Sequence, residues 1–184
     1  MQLLIVDIEA TCWEADPPPG QESEIIEIGV CPLSLESGEL GSKRSILVRP
    51  QHSTLSEFCT ALTTLTQAQV DEGVLFDQAC QILRDEFDSG NHAWASWGEF
   101  DRKMFHAQCH SFQVEYPFSQ RHINVKKLFR KVFREKKPMG MAQALTRLQL
   151  PLTGTHHRGD DDAYNIARIA AVILQQRGRE IFPV

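Results

Sequence analysis

Apolar positions recur along this chain with two spacings, one of two residues and one near 3.6, and each spacing marks a kind of element. Leu3 to Ile8 is a dense run of β-favouring residues, and Glu24–Val30 and Ser45–Val48 are two more, separated by turns that carry Gly and Pro. These three runs predict an antiparallel meander at the start of the chain. Between the first two, Glu14 to Glu22 contains Pro17-Pro18-Pro19-Gly20 among acids and reads as a stiff loop at one end of the sheet. From Ser53 onward the period is helical: Leu55–Leu62, Thr66–Val70 and Phe76–Phe87, the last with Phe76, Ala79, Cys80, Leu83 and Phe87 on one face. His92–Trp97 predicts a fourth strand and Asp101–His110 a helix. Arg121–Val125 predicts a fifth strand running into a basic helix, and Gly140–Leu148 and Asp160–Gln176 predict two closing helices. Strands first, then strands alternating with helices, predict an α/β protein with a mixed sheet covered by helices. With no internal repeat and no boundary in the pattern, residues 1–184 are read as one domain.

Composition narrows the class. A chain of 184 residues with 42% apolar residues can bury a core, roughly 70% of its unfolded surface, without a disulfide or structural metal. Five cysteines, an odd count without a CxxC pair, predict reduced thiols and a cytoplasmic protein. The apolar start meets Asp7 and Glu9 too early for a signal peptide, and the stretch Ile166–Leu174, broken by Arg168, falls short of the ~20 residues that span a bilayer. No membrane role is expected, and nothing in the pattern specifies an oligomer.

A net charge of −5 excludes a globally cationic nucleic-acid binder, so a nucleic-acid partner has to be held by a local patch. One such patch exists. Arg121 to Lys137 holds eight Lys and Arg against the single acid Glu135. Leu128, Phe129, Val132 and Phe133 form the apolar stripe of this helix, while Lys126, Lys127, Arg130, Lys131 and Arg134 cover its other faces. Two readings fit: a solvated helix surface, or a seat for a phosphate backbone whose hold weakens steeply with salt.

The acids are the second concentration of charge. Ten Asp and 14 Glu in the chain make about one Asp-x-Glu triplet expected by chance, so Asp7-Ile8-Glu9 carries no weight from composition alone. Its position does, because residues i and i+2 of a strand share a face and lie about 6.5–7 Å apart. Both carboxylates can then reach one ion cluster, although an exposed strand end accounts for them equally well. More acids follow the predicted fourth strand, at Trp97-Gly98-Glu99-Phe100-Asp101, and precede the last helix, at His156-His157-Arg158-Gly159-Asp160-Asp161-Asp162. Element ends of this kind converge on one crevice in open α/β sheets. The plain alternative is helix capping by the acids and an ordinary surface or packed role for His157.

Taken together, these residues closely resemble the DEDDh family of 3′-to-5′ exonucleases, which includes the proofreading subunit of bacterial DNA polymerase and several RNA-trimming enzymes. The first motif of that family, Asp-x-Glu, matches Asp7 and Glu9; the second matches Asp101; the third, His-x-x-x-x-Asp, matches His157 and Asp162. The wording Asp7-Ile8-Glu9-Ala10-Thr11-Cys12-Trp13, then Glu24-Ile25-Ile26-Glu27-Ile28-Gly29, then Gly159 to Ile169, resembles the branch of histone-mRNA and small-RNA 3′ exonucleases. The similarity covers nearly the whole chain.

The resemblance implies the ribonuclease H-like fold: a five-stranded mixed sheet flanked by helices, with the first strand central. It implies two divalent ions, and oxygen ligands without paired cysteines favour Mg²⁺ or Mn²⁺ over zinc. By the same resemblance Asp7 bridges the ions, Glu9 and Asp162 hold one of them, Asp101 supports the other, and His157 is the general base. Phe58 and Phe100 would flank the terminal base, with the backbone around Ala10 and Thr11 against its sugar; core packing is the ordinary alternative for each Phe. Trp13 is a further aromatic candidate, and Trp97, Met104, Phe105 and Met141 are expected in the core. The partner implied is a single-stranded nucleic-acid 3′ end, RNA rather than DNA given the branch, with release of nucleoside 5′-monophosphates. A DNA-directed enzyme of the family, an enzyme that nicks internally, and a regulatory module that binds without catalysis are the rival readings.

Overall fold

A computed structural model describes residues 1–183. Strands β1 (Gln2–Ala10), β2 (Ile25–Ser34) and β3 (Arg44–Leu47) come first, followed by helices α1 (Glu57–Thr63), α2 (Gln67–Asp71) and α3 (Phe76–Phe87). Strand β4 (Ala93–Ser96) leads to α4 (Phe100–Phe112), and β5 (His122–Asn124) leads to α5 (Val125–Phe133), α6 (Met141–Arg147) and α7 (Gly159–Arg177). The five strands form one sheet in the order β3-β2-β1-β4-β5. β1, β2 and β3 pair antiparallel, whereas β4 pairs parallel with both β1 and β5. This is the mixed sheet with a central first strand that the ribonuclease H-like resemblance implies.

Alternation along β1 decides what each face of the sheet meets. Leu4, Val6 and Ile8 point into an apolar cluster with Phe76, Leu83 and Phe105 of α3 and α4. Leu3 and Ile5 point the other way, into a cluster with Phe129 of α5, Leu145 of α6 and Ala163, Ile166 and Ala170 of α7. Asp7 and Glu9 continue the second series, so the strand carries its two acids on the face that α7 covers. β1 extends to Ala10, two residues beyond the predicted run, and its pairing with β2 shifts register between Glu9 and Ala10. Such a bulge re-aims the residues beside it.

The first turn of α7 meets the sheet backbone to backbone. Gly29 of β2 pairs with Asp7, and a Cβ built on Gly29 would fall 1.9 Å from the carbonyl carbon of Gly159. No side chain fits there. The missing side chain lets the amino end of α7 settle beside Asp7, with Ala163, Ala167 and Ala170 keeping the following turns close.

Several expectations shift in detail. Leu128 and Phe133 are half-buried, and the fully covered stripe of α5 is Val125, Phe129 and Val132. Arg134 is the left-handed cap of α5 and lies beyond its last turn. Trp97 and Met104 sit at the margins of the clusters, while Phe105 and Met141 are buried as expected.

Replacing Gly29 by Ala is expected to push the first turn of α7 off the sheet and lower stability by about 1–3 kcal/mol, the usual range for overpacking. The urea midpoint should drop at constant slope. An unchanged midpoint would mean that the two backbones do not touch in solution.

Candidate active site

Four of the five acidic and basic positions picked out in the sequence meet at the end of β1 with ligating atoms or hydrogen bonds in common. One oxygen each from Asp7, Glu9 and Asp162 lie within 4.8 Å of one another. Asp101 joins from α4: its Oδ1 accepts from the backbone amide of Ile8, the residue between Asp7 and Glu9, at 3.1 Å. The turn that delivers Asp101 passes through Gly98 at φ +132°, a conformation open to glycine alone at low cost. Asp162 stands in the first turn of α7, above Asp7 and Glu9 because Gly159 rests against Gly29.

The fifth position, His157, lies in the turn before α7 at φ +65°. Its backbone amide donates to Asp162 Oδ2 (3.0 Å), which fixes the turn to the cluster. Burial, together with the neighbouring His156, pushes the His157 imidazole below its ordinary value of 6.5, so the ring is neutral and able to accept a proton near pH 7. The sequence motif passes over His156. Its Nδ1 lies 2.8 Å from Asp162 Oδ2, and its ring stacks on that of His157 with centroids 4.0 Å apart. The adjacent histidines were the signal available in the sequence.

Glu27 is the other residue to which the sequence pattern gives no role. It faces Glu9 across the β1–β2 pair and is fully buried, yet every oxygen is used. Oε1 accepts from Ser45 Oγ (2.6 Å) and Arg158 Nη2 (2.9 Å), and Oε2 accepts from Arg158 Nε (3.1 Å) and the Gly159 amide (2.8 Å). A carboxylate with this many donors is an anchor, and here it fastens the residues next to His157 onto β2. Asp160 and Asp161 point away from the cluster and pair with Lys43; Asp161 Oδ2 also accepts from the Thr155 amide (2.7 Å). Neither caps α7, whose start has no side-chain cap, and neither joins the cluster; Asp162 alone of the three acids does.

Glu99 organises the opposite wall. Its oxygens accept from Asn124 Nδ2 (2.9 Å), Lys127 Nζ (3.1 Å) and Arg102 Nε (3.1 Å), and the bond from Asn124 leads the causes that lower its carboxyl to about 2. The start of α4 is thereby tied to the first turn of α5. Lys126, Lys127 and Arg130 line a hollow of about 320 Å³ that opens onto Gly98 and Glu99. The basic face of α5 therefore borders the segment that carries Phe100 and Asp101.

The aromatic candidates are on the surface. Phe58 is 42% and Phe100 60% exposed, which removes core packing as the account of either. The start of α1, which carries Phe58, is fastened beside the end of β1: Ser56 Oγ donates to the Cys12 carbonyl (2.6 Å) and accepts from the Cys59 amide (2.9 Å). Thr11 is fully buried. Its amide donates to the Glu24 carbonyl, its carbonyl accepts from Ser23 Oγ, and its hydroxyl bonds Glu22 and Glu24. Those bonds shape the wall beside Ala10 and leave Thr11 little to offer a ligand.

The cluster is electrostatically unbalanced. Burial first, and then the charges of its neighbours, raise Asp7 well above the ordinary carboxylate range and Glu9 from 4.5 to about 8. Burial also raises Asp101 to about 6, against the pull of the bond from the Ile8 amide. Asp162 Oδ1 is buried with no hydrogen-bond partner. Hard oxygen donors crowded together, one of them orphaned, fit a divalent cation such as Mg²⁺ or Mn²⁺.

In metal-free protein these raised values set the sign of the pH dependence. Between about pH 4.5 and 8 the folded state keeps on Glu9 a proton that the unfolded chain has lost, so stability falls as pH rises through that window. Below about pH 6.5 this is opposed by His122, which burial lowers from 6.5 to about 4, and by His157, also lowered. The Tm of EDTA-treated protein should therefore decline from about pH 6.5 to 8 in scanning calorimetry, and added Mn²⁺ should flatten the decline. A metal-free Tm that climbs across pH 6.5 to 8 would contradict the crowding.

Known proteins resemble this chain in sequence and fold. The family model described as Exonuclease (RNase_T) matches residues 4–170. Human 3'-5' exoribonuclease 1 is 33% identical over 183 residues, covering 94% of this chain and 52% of that protein. Mouse ERI1 exoribonuclease 2 is 32% identical over 192 residues, covering 91% of this chain and 28% of that protein. This chain thus spans about half of the first relative and under a third of the second. Among solved structures, the nuclease domain of 3'hExo, a DEDDh family member bound to rAMP, superposes with a TM-score of 0.86 at 32% identity, over 97% of this chain and 94% of that one. The matched family model, the shared fold and the cluster at the end of β1 agree: this chain belongs to the exonuclease family.

Proposed function

We propose that residues 1–184 act as one exonuclease unit that hydrolyses single-stranded 3′ ends, RNA in preference to DNA, and releases nucleoside 5′-monophosphates. The observation that carries this is the gathering of Asp7, Glu9 and Asp162 within 4.8 Å, with Asp101 on the Ile8 amide and His157 fastened to Asp162. The preference for RNA is supported by the relatives, which are named exoribonucleases, and by a solved neighbour described as recognising a histone mRNA stem-loop (30% identity, TM-score 0.84). A cytoplasmic setting is supported by five cysteines without a disulfide. Among the described residues no helix is long and apolar enough to cross a membrane.

When bound, two divalent ions, Mg²⁺ or Mn²⁺, would supply neutralisation of the phosphate, an acidified water and a stabilised leaving oxygen. Asp7 would be the ligand shared by both, Glu9 and Asp162 would hold one, and Asp101 would support the other. His157 takes the proton of the attacking water on its neutral ring. Phe58 and Phe100 flank the terminal base, which stacking serves whatever its identity. The Ala10 backbone borders the sugar, and Thr11 holds that backbone in place. Lys126, Lys127 and Arg130, along the hollow that opens at Gly98, and Lys131 and Arg134, along a second hollow that shares Lys127 and Arg130, receive the phosphates of the strand beyond the cut.

Matched end-labelled RNA and DNA oligomers with Mg²⁺, Mn²⁺ or EDTA test the reading. RNA should shorten one nucleotide at a time from the 3′ end, and a blocked 3′ end should resist; cleavage inside the strand would point to a nicking enzyme. His157→Ala should lower turnover by ~10²–10⁴ while leaving the fold intact, and Asp7→Asn should be inactive at any ordinary Mg²⁺ concentration. Full turnover in the first variant, or Mg²⁺ rescue of the second, would remove the role assigned to that residue. Replacing Lys126, Arg130 and Lys131 by Gln should weaken binding of long strands and reduce the salt slope by about 0.7 for each phosphate no longer neutralised. An unchanged slope would make the patch ordinary surface.

A further inference from the structure

We propose that His156, His157 and Asp162 form a site for a borderline transition-metal cation of the zinc class, which shares Asp162 with the hard-ion site of the carboxylates. Filling it would switch the catalytic cluster off. One ligating atom from each of these three residues lies within 4.8 Å of the others, a grouping distinct from that of Asp7, Glu9 and Asp162. The left-handed backbone at His157 (φ +65°) accompanies an unusual placing of neighbouring side chains: the rings of His156 and His157 stack at 4.0 Å and 15°. Both present nitrogen beside a carboxylate that His156 Nδ1 already touches at 2.8 Å.

Asp162 divides its oxygens between the two sites. Asp162 is only 4% exposed, and its Oδ1 has no hydrogen-bond partner. Its two oxygens therefore have different surroundings, Oδ2 toward the histidines and Oδ1 without a donor.

Ligand chemistry separates the two sites. Imidazole nitrogen suits zinc, copper and nickel, whereas Mg²⁺ prefers oxygen. Zinc with three protein ligands keeps a fourth position for water, at Zn–N distances of about 2.0–2.1 Å. Loading the site exchanges the His156 Nδ1–Asp162 Oδ2 hydrogen bond for bonds to the ion, and both rings are partly exposed. The consequence for catalysis, which rests on the function proposed above, is twofold. A cation on the His157 nitrogen occupies the lone pair that would accept the proton of water, and it draws Asp162 away from the hard-ion cluster.

The test uses the whole metal-free chain, with Zn²⁺ titrated in a calorimeter and Co²⁺ as a visible-absorption stand-in. Wild type should take up zinc at one tight site and give Co²⁺ bands of low-coordinate geometry. Loss of one ligand in His156→Ala should weaken zinc by about tenfold or more, with circular dichroism confirming the fold. Asp7→Asn, which disrupts the carboxylate cluster, should keep zinc within about threefold of wild type, since Asp7 is not one of the three ligands. Unchanged zinc affinity in His156→Ala, or zinc lost in Asp7→Asn, would overturn the site by placing the ion among the carboxylates. In the nuclease assay, zinc added over excess Mg²⁺ should stop turnover, and His156→Ala should raise the half-inhibiting concentration about tenfold or more. Tight zinc binding with undiminished turnover would overturn the switch and leave the site. A chain with no nuclease activity would instead refute the proposed function, and the calorimetric result would still decide the zinc site.

Discussion

Several carboxylates share one poorly hydrated end of a central strand, and most of the surrounding architecture answers the repulsion this creates. Glu27 shows how a protein normally resolves such a charge: a guanidinium, a hydroxyl and an amide occupy both of its oxygens. Asp7 and Glu9, a few ångströms away, carry elevated proton affinities instead. A buried acid without partners destabilises a fold. Its presence beside one that is fully satisfied marks a place where stability is given up so that a cation can bind.

Rigidity around the cluster comes from three directions. The close approach of β2 and α7 at Gly29 and Gly159 sets the height of Asp162. The fork of Arg158 on Glu27 holds the turn that carries His157. Glu99, through Asn124 and Lys127, locks the start of α4 to α5 and so the approach of Asp101. Reacting groups held by such supports keep their geometry without help from the substrate.

Much of this was legible in the sequence because it depends on local pattern. Alternation in Leu3–Ile8 placed Asp7 and Glu9 on one face, and the helical period of Asp160–Gln176 put Asp162 in a first turn. Partnerships across the chain were not legible. Nothing local in Ile26-Glu27-Ile28 names Arg158, 131 residues away, although an acid inside an apolar strand signals that some donor must exist. The exposure of Phe58 and Phe100 was equally hidden, since an aromatic residue at a helix start can turn inward or outward according to how the helix docks. The motif needs one histidine and so gives His156 no role, while the ring of His156 is held by a partner six residues on, Asp162, and by stacking on His157.

The elevated proton affinity of the acidic nest links ion uptake to buffer chemistry. Each hydrogen ion that Asp7 or Glu9 gives up on ligation must be absorbed by the solution. Calorimetric heats of loading will then differ between buffers of high and low ionisation enthalpy, although the free energy at fixed pH is the same. Apparent affinity for a cation will also rise with alkalinity, so less of the ion is needed to fill the nest in a more basic solution.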